Sequence, residues 1–181
     1  MTIAKRAIII LGAILLGVMT PMSVVLAQDT PMTDAQINQI KSSCVGAKTI
    51  MAQLHANDAL LRVNRGQMYE SMTTKLMSRF DDRVDSNHLN SKYLVSVDQD
   101  YNDALTSFRN DYQVYEESLS SALKIDCTKE PVSFYDAVAD ARTKRAQVHN
   151  DVVKLNQDID QYKSTFESFV TGLLNFTGNS N

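Results

Sequence analysis

Between Phe134 and Leu173 a seam of positions recurs at alternating steps of four and three residues: Phe134, Val138, Ala141, Arg145, Val148, Val152, Leu155, Ile159, Tyr162, Phe166, Phe169 and Leu173. All but Arg145 are apolar or aromatic. The mean step of about 3.5 residues falls just short of the 3.6-residue helical turn, so a stripe kept for about five repeats commits a helix to winding around a neighbour. Such a stripe excludes an all-β fold and needs other helices to bury it.

Two more helices are expected upstream. Thr33 has the features of an N-cap, with Asp34 in the first turn. Apolar or small residues then recur at Ile37, Ile40, Cys44, Ala47, Met51, Leu54, Leu61, Met68, Met72, Leu76, Phe80 and Val84. Asp58 and Arg65 interrupt this seam, and the four-residue steps after Met68 shift its phase. The spacing predicts a helix over about residues 34–86, kinked near Gly66. Residues 87–91 form the expected turn, with Asn87 as its left-handed C-cap. Leu94, Val97, Tyr101, Leu105, Phe108, Tyr112, Tyr115, Leu119 and Ala122 then mark a second helix over about 91–126. After a turn at 127–132, Ser133 and Asp136 have capping-box spacing and open a third helix over about 133–174. Residues 177–181 are expected to be a disordered tail.

Six Gly, three Pro and no Trp in 181 residues leave few turn positions, as a fold of few long helices requires. The expected fold is all-α: an elongated three-helix antiparallel (up-down-up) coiled-coil-like bundle in one domain, residues 33–176. Short links force neighbouring helices to run in opposite directions.

The N-terminus carries an address. Lys5 and Arg6 precede the apolar run 7–19, and Val25-Leu26-Ala27 has the small-residue pattern read by signal peptidase. This predicts a signal peptide over 1–27, with Gln28 as the first mature residue and 28–32 as a polar linker. The mostly apolar stretch 7–27 is also long enough to cross a bilayer as an uncleaved anchor. The chain carries a formal charge of -3. Without Lys5 and Arg6, 16 basic side chains face 21 acidic ones, a sign that argues against nucleic acid or anionic lipid as the main partner.

Cys44 and Cys127 are an even pair, which in an exported chain predicts a disulfide. Counted from the 87–91 turn they differ by about seven residues, or about 10 Å at helical rise. A cystine spans about 4.4–6.8 Å between Cα atoms. Either Cys127 lies beyond the end of its helix or the first helix bends.

Arg145 occupies a seam position where an aliphatic residue belongs, and level-matching sets it near Asp58 and Tyr115-Glu116. A buried polar layer of Arg145, Asp58 and Glu116 would fix the register of the bundle. Met51, Met68, Met72 and Met77, with His55, raise the idea of a Cu(I) site. Their spread along the helix favours core filling instead. His55, His88 and His149 lack partners at ligand spacing, and neither a phosphate loop nor a nucleophile elbow occurs. No catalytic residue, cofactor or metal is expected. Tyr101, Tyr112, Tyr115 and Phe108 read as core, and Asp81-Asp82 and Glu116-Glu117 as solvated faces. Phe169, Leu173, Leu174 and Phe176 make the C-terminal end wider than a seam, either as a mini-core or as a contact tip. Asn175-Phe176-Thr177 matches a glycosylation sequon.

These features lead to an exported, non-enzymatic helical protein acting as a spacer, adaptor or envelope-associated interaction module. Its expected partner is another protein, a second copy of the chain included, and it meets a membrane through an uncleaved N-terminus if at all. A periplasmic holdase-type chaperone is the alternative, resting on export signal, size and long helices. A copper carrier or an enzyme is the least favoured reading.

Overall fold

A helix start leaves backbone N–H groups without partners, and Thr33 supplies one. In the computed structural model, which describes residues 31–178, Gln36 N donates to Thr33 Oγ1 at 3.4 Å and Thr33 N donates to Gln36 Oε1 at 2.8 Å. This reciprocal capping box opens α1 (Asp34–Ser71). A π-helical segment (Met72–Met77) and α2 (Ser78–Ser86) continue it without a break. α3 (Lys92–Lys124) and α4 (Pro131–Gly178) follow. The protein is therefore all-helical among its described residues, with three long helices. The chain divides into two units, Met1–Pro31 and Met32–Asn181. The described helices belong to the second, and the expected signal peptide over 1–27 lies outside the described residues.

The irregularity in the first helix sits at the π segment rather than near Gly66. Four-residue steps on an α-helix advance about 40° too far per step, so a run of them drifts off one face. Here the buried residues Tyr69, Thr73, Met77 and Asp81 keep that step through the wider π turn, where Ser78 N donates to Thr73 O. Tyr101 OH donates to Tyr69 O at 2.9 Å, and Tyr162 OH donates to Met77 O at 3.2 Å. Two tyrosine hydroxyls thus satisfy backbone carbonyls on either side of the turn. The expected seam positions Leu61, Met68 and Leu76 are corrected by this phase: they are 54%, 42% and 58% exposed.

The turns differ from expectation in detail. His88, at φ 57°, takes the left-handed position, and Asn87 is the residue before it. Leu89 N donates to Val84 O and His88 N to Asp85 O, the pair of bonds of a Schellman motif. α4 begins two residues before Ser133. Pro131 opens it because a first-turn residue needs no N–H donor, and Phe134 N donates to Glu130 O. At its far end α4 runs to Gly178, so residues 177 and 178 of the expected tail are helical. Residues 179–181 lie outside the described residues.

The core forms two clusters. One joins Tyr69, Met77, Val84, Leu94, Tyr101, Phe108, Leu155 and Tyr162. The other joins Cys44, Met51, Tyr112, Tyr115, Leu119, Cys127, Phe134 and Ala141. Half-buried Val148 packs against both. On α1 no apolar residue between Met51 and Tyr69 is buried. That gap positions the candidate site.

Candidate functional site

The middle of α1 presents charge where a core-facing helix presents aliphatics. Asp58, Arg62 and Arg65 follow one another at steps of four and three, so all three fall toward the face that carries Met51 and Tyr69. Asp58 is buried, at 8% exposure, and is fully engaged. Tyr115 OH donates to Asp58 Oδ2 at 2.7 Å, Arg145 Nε donates to Oδ2 at 2.9 Å, and Arg145 Nη2 donates to Oδ1 at 3.2 Å. Burial by itself raises the pKa of this carboxyl. The hydrogen bonds from Arg145 and Tyr115 outweigh that and hold it below the ordinary carboxylate value. The Arg145 side chain is half exposed, so its stem crosses the apolar surface while the guanidinium closes the layer from the outside.

Glu116 does not join this layer. It faces His55 at 3.9 Å from a half-exposed position, and Tyr115, one residue earlier and buried, takes the place expected of it. On a helix, adjacent residues point about 100° apart, which is enough to exchange an inner position for an outer one.

Next to the layer, a cavity of about 400 Å³ opens between α1, α3 and α4. Its walls combine Tyr69, Phe108, Tyr112, Val148 and Val152 with Arg62, Arg65, Arg145 and His149. Arg62 lies over the Tyr112 ring, 5.1 Å from the centroid, a cation–π placement. Tyr112 itself is 4% exposed, and its hydroxyl is buried with no hydrogen-bond partner. Burial raises the pKa of this phenol, as do Glu116 and Asp58, so it remains a donor. Arg65 makes no hydrogen bond or ion pair among the described residues.

The cysteines form a disulfide, Cys44–Cys127, with Cα atoms 5.7 Å apart. The apparent 10 Å mismatch closes because α3 ends at Lys124 and Ile125 is extended, at ψ 134°. Extended residues rise about 3.3 Å each against 1.5 Å in a helix, so Cys127 reaches further than helical counting allows. Lys48 Nζ donates to Ile125 O at 3.0 Å and holds the same loop against α1.

Several buried carboxyls on α4 were not legible as such. Asp151 and Asp158 are 7% and 1% exposed. Lys154 pairs with Asp158, while Gln147 Nε2 donates to Asp151 Oδ1 at 3.4 Å. Burial, followed by the neighbouring Asp111 carboxylate, pushes Asp151 up to about 6. Asp81 is likewise raised, first by burial, although Tyr162 OH donates to its Oδ1 at 2.7 Å. At the expected contact tip, Phe169 packs edge-on against Phe80 at 5.9 Å, and Phe166 packs on the same ring at 4.8 Å. Leu173 and Leu174 are 37% and 64% exposed. The Phe176 side chain lies outside the described residues. Of the methionines, Met51 and Met77 are buried in different core clusters. No group of three or more His, Cys, Asp or Glu is placed to share a metal among the described residues, and no described helix is long and apolar enough to cross a membrane. Compared with protein-family models, curated proteins and solved structures, the chain matches none.

Proposed function

We propose that this chain is exported by its N-terminal segment and works outside the cytoplasm as a non-enzymatic interaction module built on an up-down-up helical bundle. The helix order is supported by paired levels. Asp58 meets Tyr115 and Arg145, Thr73 Oγ1 donates to Asp98 Oδ1, Ser118 Oγ donates to Asp140 Oδ2, and Tyr162 OH donates to Asp81 Oδ1. Along these pairs the first helix and α3 count in opposite directions, and the first helix and α4 in the same one. Export is supported by the charged, apolar and small-residue order of residues 1–27 and by the disulfide, since such bonds persist in oxidising compartments.

The observation that carries the interaction role is the apolar surface left on the first helix: Val45, Ile50, Leu60, Leu61, Val63 and Leu76 are all more than half exposed. A bundle that needed nothing else would bury or replace them. A holdase would use the same surface with unfolded clients. Expression with the native leader, fractionation and N-terminal sequencing test the address: a mature chain starting at Gln28 outside the cytoplasm, with oxidised cysteines, is expected, and an intact reduced chain in the cytoplasm contradicts it. Replacing Leu60 and Leu61 with Glu should abolish association with its protein partner or with itself. Near-stoichiometric suppression of client aggregation by the wild type would favour the holdase.

A further inference from the structure

The cavity in the middle of the bundle has the composition of a ligand site rather than of a packing fault. Genuine voids in cores are lined by apolar side chains. This one puts two unpaired or cation–π-engaged guanidinium groups, Arg62 and Arg65, beside the apolar walls of Phe108, Val148 and Val152. It is also bordered by a phenol that has been buried with nothing to donate to, Tyr112 OH. Leaving such a donor unmatched is costly, and an acceptor brought by a ligand would satisfy it. The anionic group in the wall, Asp58, is already neutralised by Arg145, so Arg62 and Arg65 leave the cavity with excess positive charge. At about 400 Å³ it lies within the range of small-molecule sites.

We infer that this cavity binds an apolar carboxylate, whose carboxylate is taken by Arg62, Arg65 and the Tyr112 hydroxyl and whose hydrocarbon body lies against Phe108, Val148 and Val152. The inference goes beyond the protein-interaction role and does not depend on the chain's address. Aliphatic and aromatic carboxylates share the chemistry, and the walls contain both kinds of side chain. Titration calorimetry of the full mature chain with dodecanoate and with 2-naphthoate separates the two sources. Dodecanol and dodecyltrimethylammonium serve as neutral and cationic controls.

Saturable one-to-one binding of at least one carboxylate is expected, with both controls at least tenfold weaker. Arg62→Gln and Arg65→Gln should each weaken the carboxylate about tenfold, since each removes a charge-assisted hydrogen bond. Both side chains are exposed, so the variants should fold, with circular dichroism as the check. Tyr112→Phe gives the sharpest readout: it should leave the thermal midpoint of the free protein unchanged or higher while weakening the carboxylate. A purely structural tyrosine would show no binding change. Absence of carboxylate binding, or equal binding of dodecanol and dodecanoate, would overturn the inference.

Discussion

α3 buries ten side chains in 33 residues, whereas α1 buries four in 38. Both are long, both carry a seam and both touch the other helices, so length and apolar content do not explain the difference. What separates them is the identity of the inward positions. On α3 these are Leu94, Val97, Tyr101, Leu105, Phe108, Tyr112, Tyr115 and Leu119, and burying one such side chain contributes about 1.5–3 kcal/mol. On α1 the corresponding face carries Asp58, Arg62 and Arg65, of which only Asp58 is buried. The first is satisfied by a hydrogen-bonded layer, and the other two border the cavity. α1 is therefore held by the disulfide near its start, by the Asp58 layer at its middle and by the Tyr101 hydroxyl at its end, with no buried apolar residue between Met51 and Tyr69. A helix tethered this way leaves large apolar side chains exposed, among them Val45, Ile50, Leu60, Leu61 and Val63, where α3 leaves Tyr93, Val95 and Val114.

The contrast can be broken most strongly at the tether. Replacing Cys44 and Cys127 with Ser removes a cross-link between residues 83 apart in sequence, a loss of up to about 4.5 kcal/mol in the chain-entropy model. Denaturant titration should show that loss, and limited proteolysis should cut α1 before α3 or α4. Next comes the polar layer. Asp58→Ala leaves the buried Tyr115 hydroxyl without its acceptor and should cost about 2 kcal/mol, read as a drop in denaturation midpoint. Arg145→Leu tests the register role: if it stabilises the fold without changing the oligomeric state by light scattering, the layer does not set register.

A smaller effect depends on pH. The Asp151 carboxyl is raised to about 6, so between its ordinary value and that pH the folded chain holds a proton that the unfolded chain has lost. Its contribution to stability is full at the acid side of this window and disappears as pH rises through about 6. Asp58 runs the other way: its lowered pKa gives stability that is lost as pH falls below the ordinary carboxylate value. Thermal midpoints should therefore rise from pH 7.5 to pH 5 and fall again toward pH 3. Asp151→Asn should raise the midpoint at pH 7.5 by the equivalent of about 1–2 kcal/mol and change little at about pH 3.5, below the ordinary carboxylate value. The smallest effect is expected from Arg62→Leu, which exchanges the cation–π contact with Tyr112 for an apolar one and should change stability by less than about 1 kcal/mol.

How far the molecule could be read from its residues follows the same division. α3 and the first two-thirds of α4 follow their seams because apolar residues sit at nearly every inward position. From the end of α1 through the π segment into α2 the four-residue steps admit two phases. Met68, Met72, Leu76 and Phe80 form one, and Tyr69, Thr73, Met77 and Asp81 form the other. Hydropathy favours the first, but the π turn buries the second, and of the first only Met72 and Phe80 pack, half-buried, against the core. Asp58 and Arg145 stood out as polar residues in apolar series. Arg62 did not, because a lone cation beside a seam looks like a solvated face. Asp151 and Asp158 were missed for a related reason: where two helices press on α4, the buried face is broader than its heptad stripe.

Hydrogen exchange read by mass spectrometry along the oxidised chain compares the packing of the two helices residue by residue. Slow exchange is expected over 101–122 and 134–162, with faster exchange over 59–68 than over either flanking part of the first helix. Protection in 59–68 equal to that of α3 would show that α1 packs as uniformly as α3 and would overturn the contrast between them.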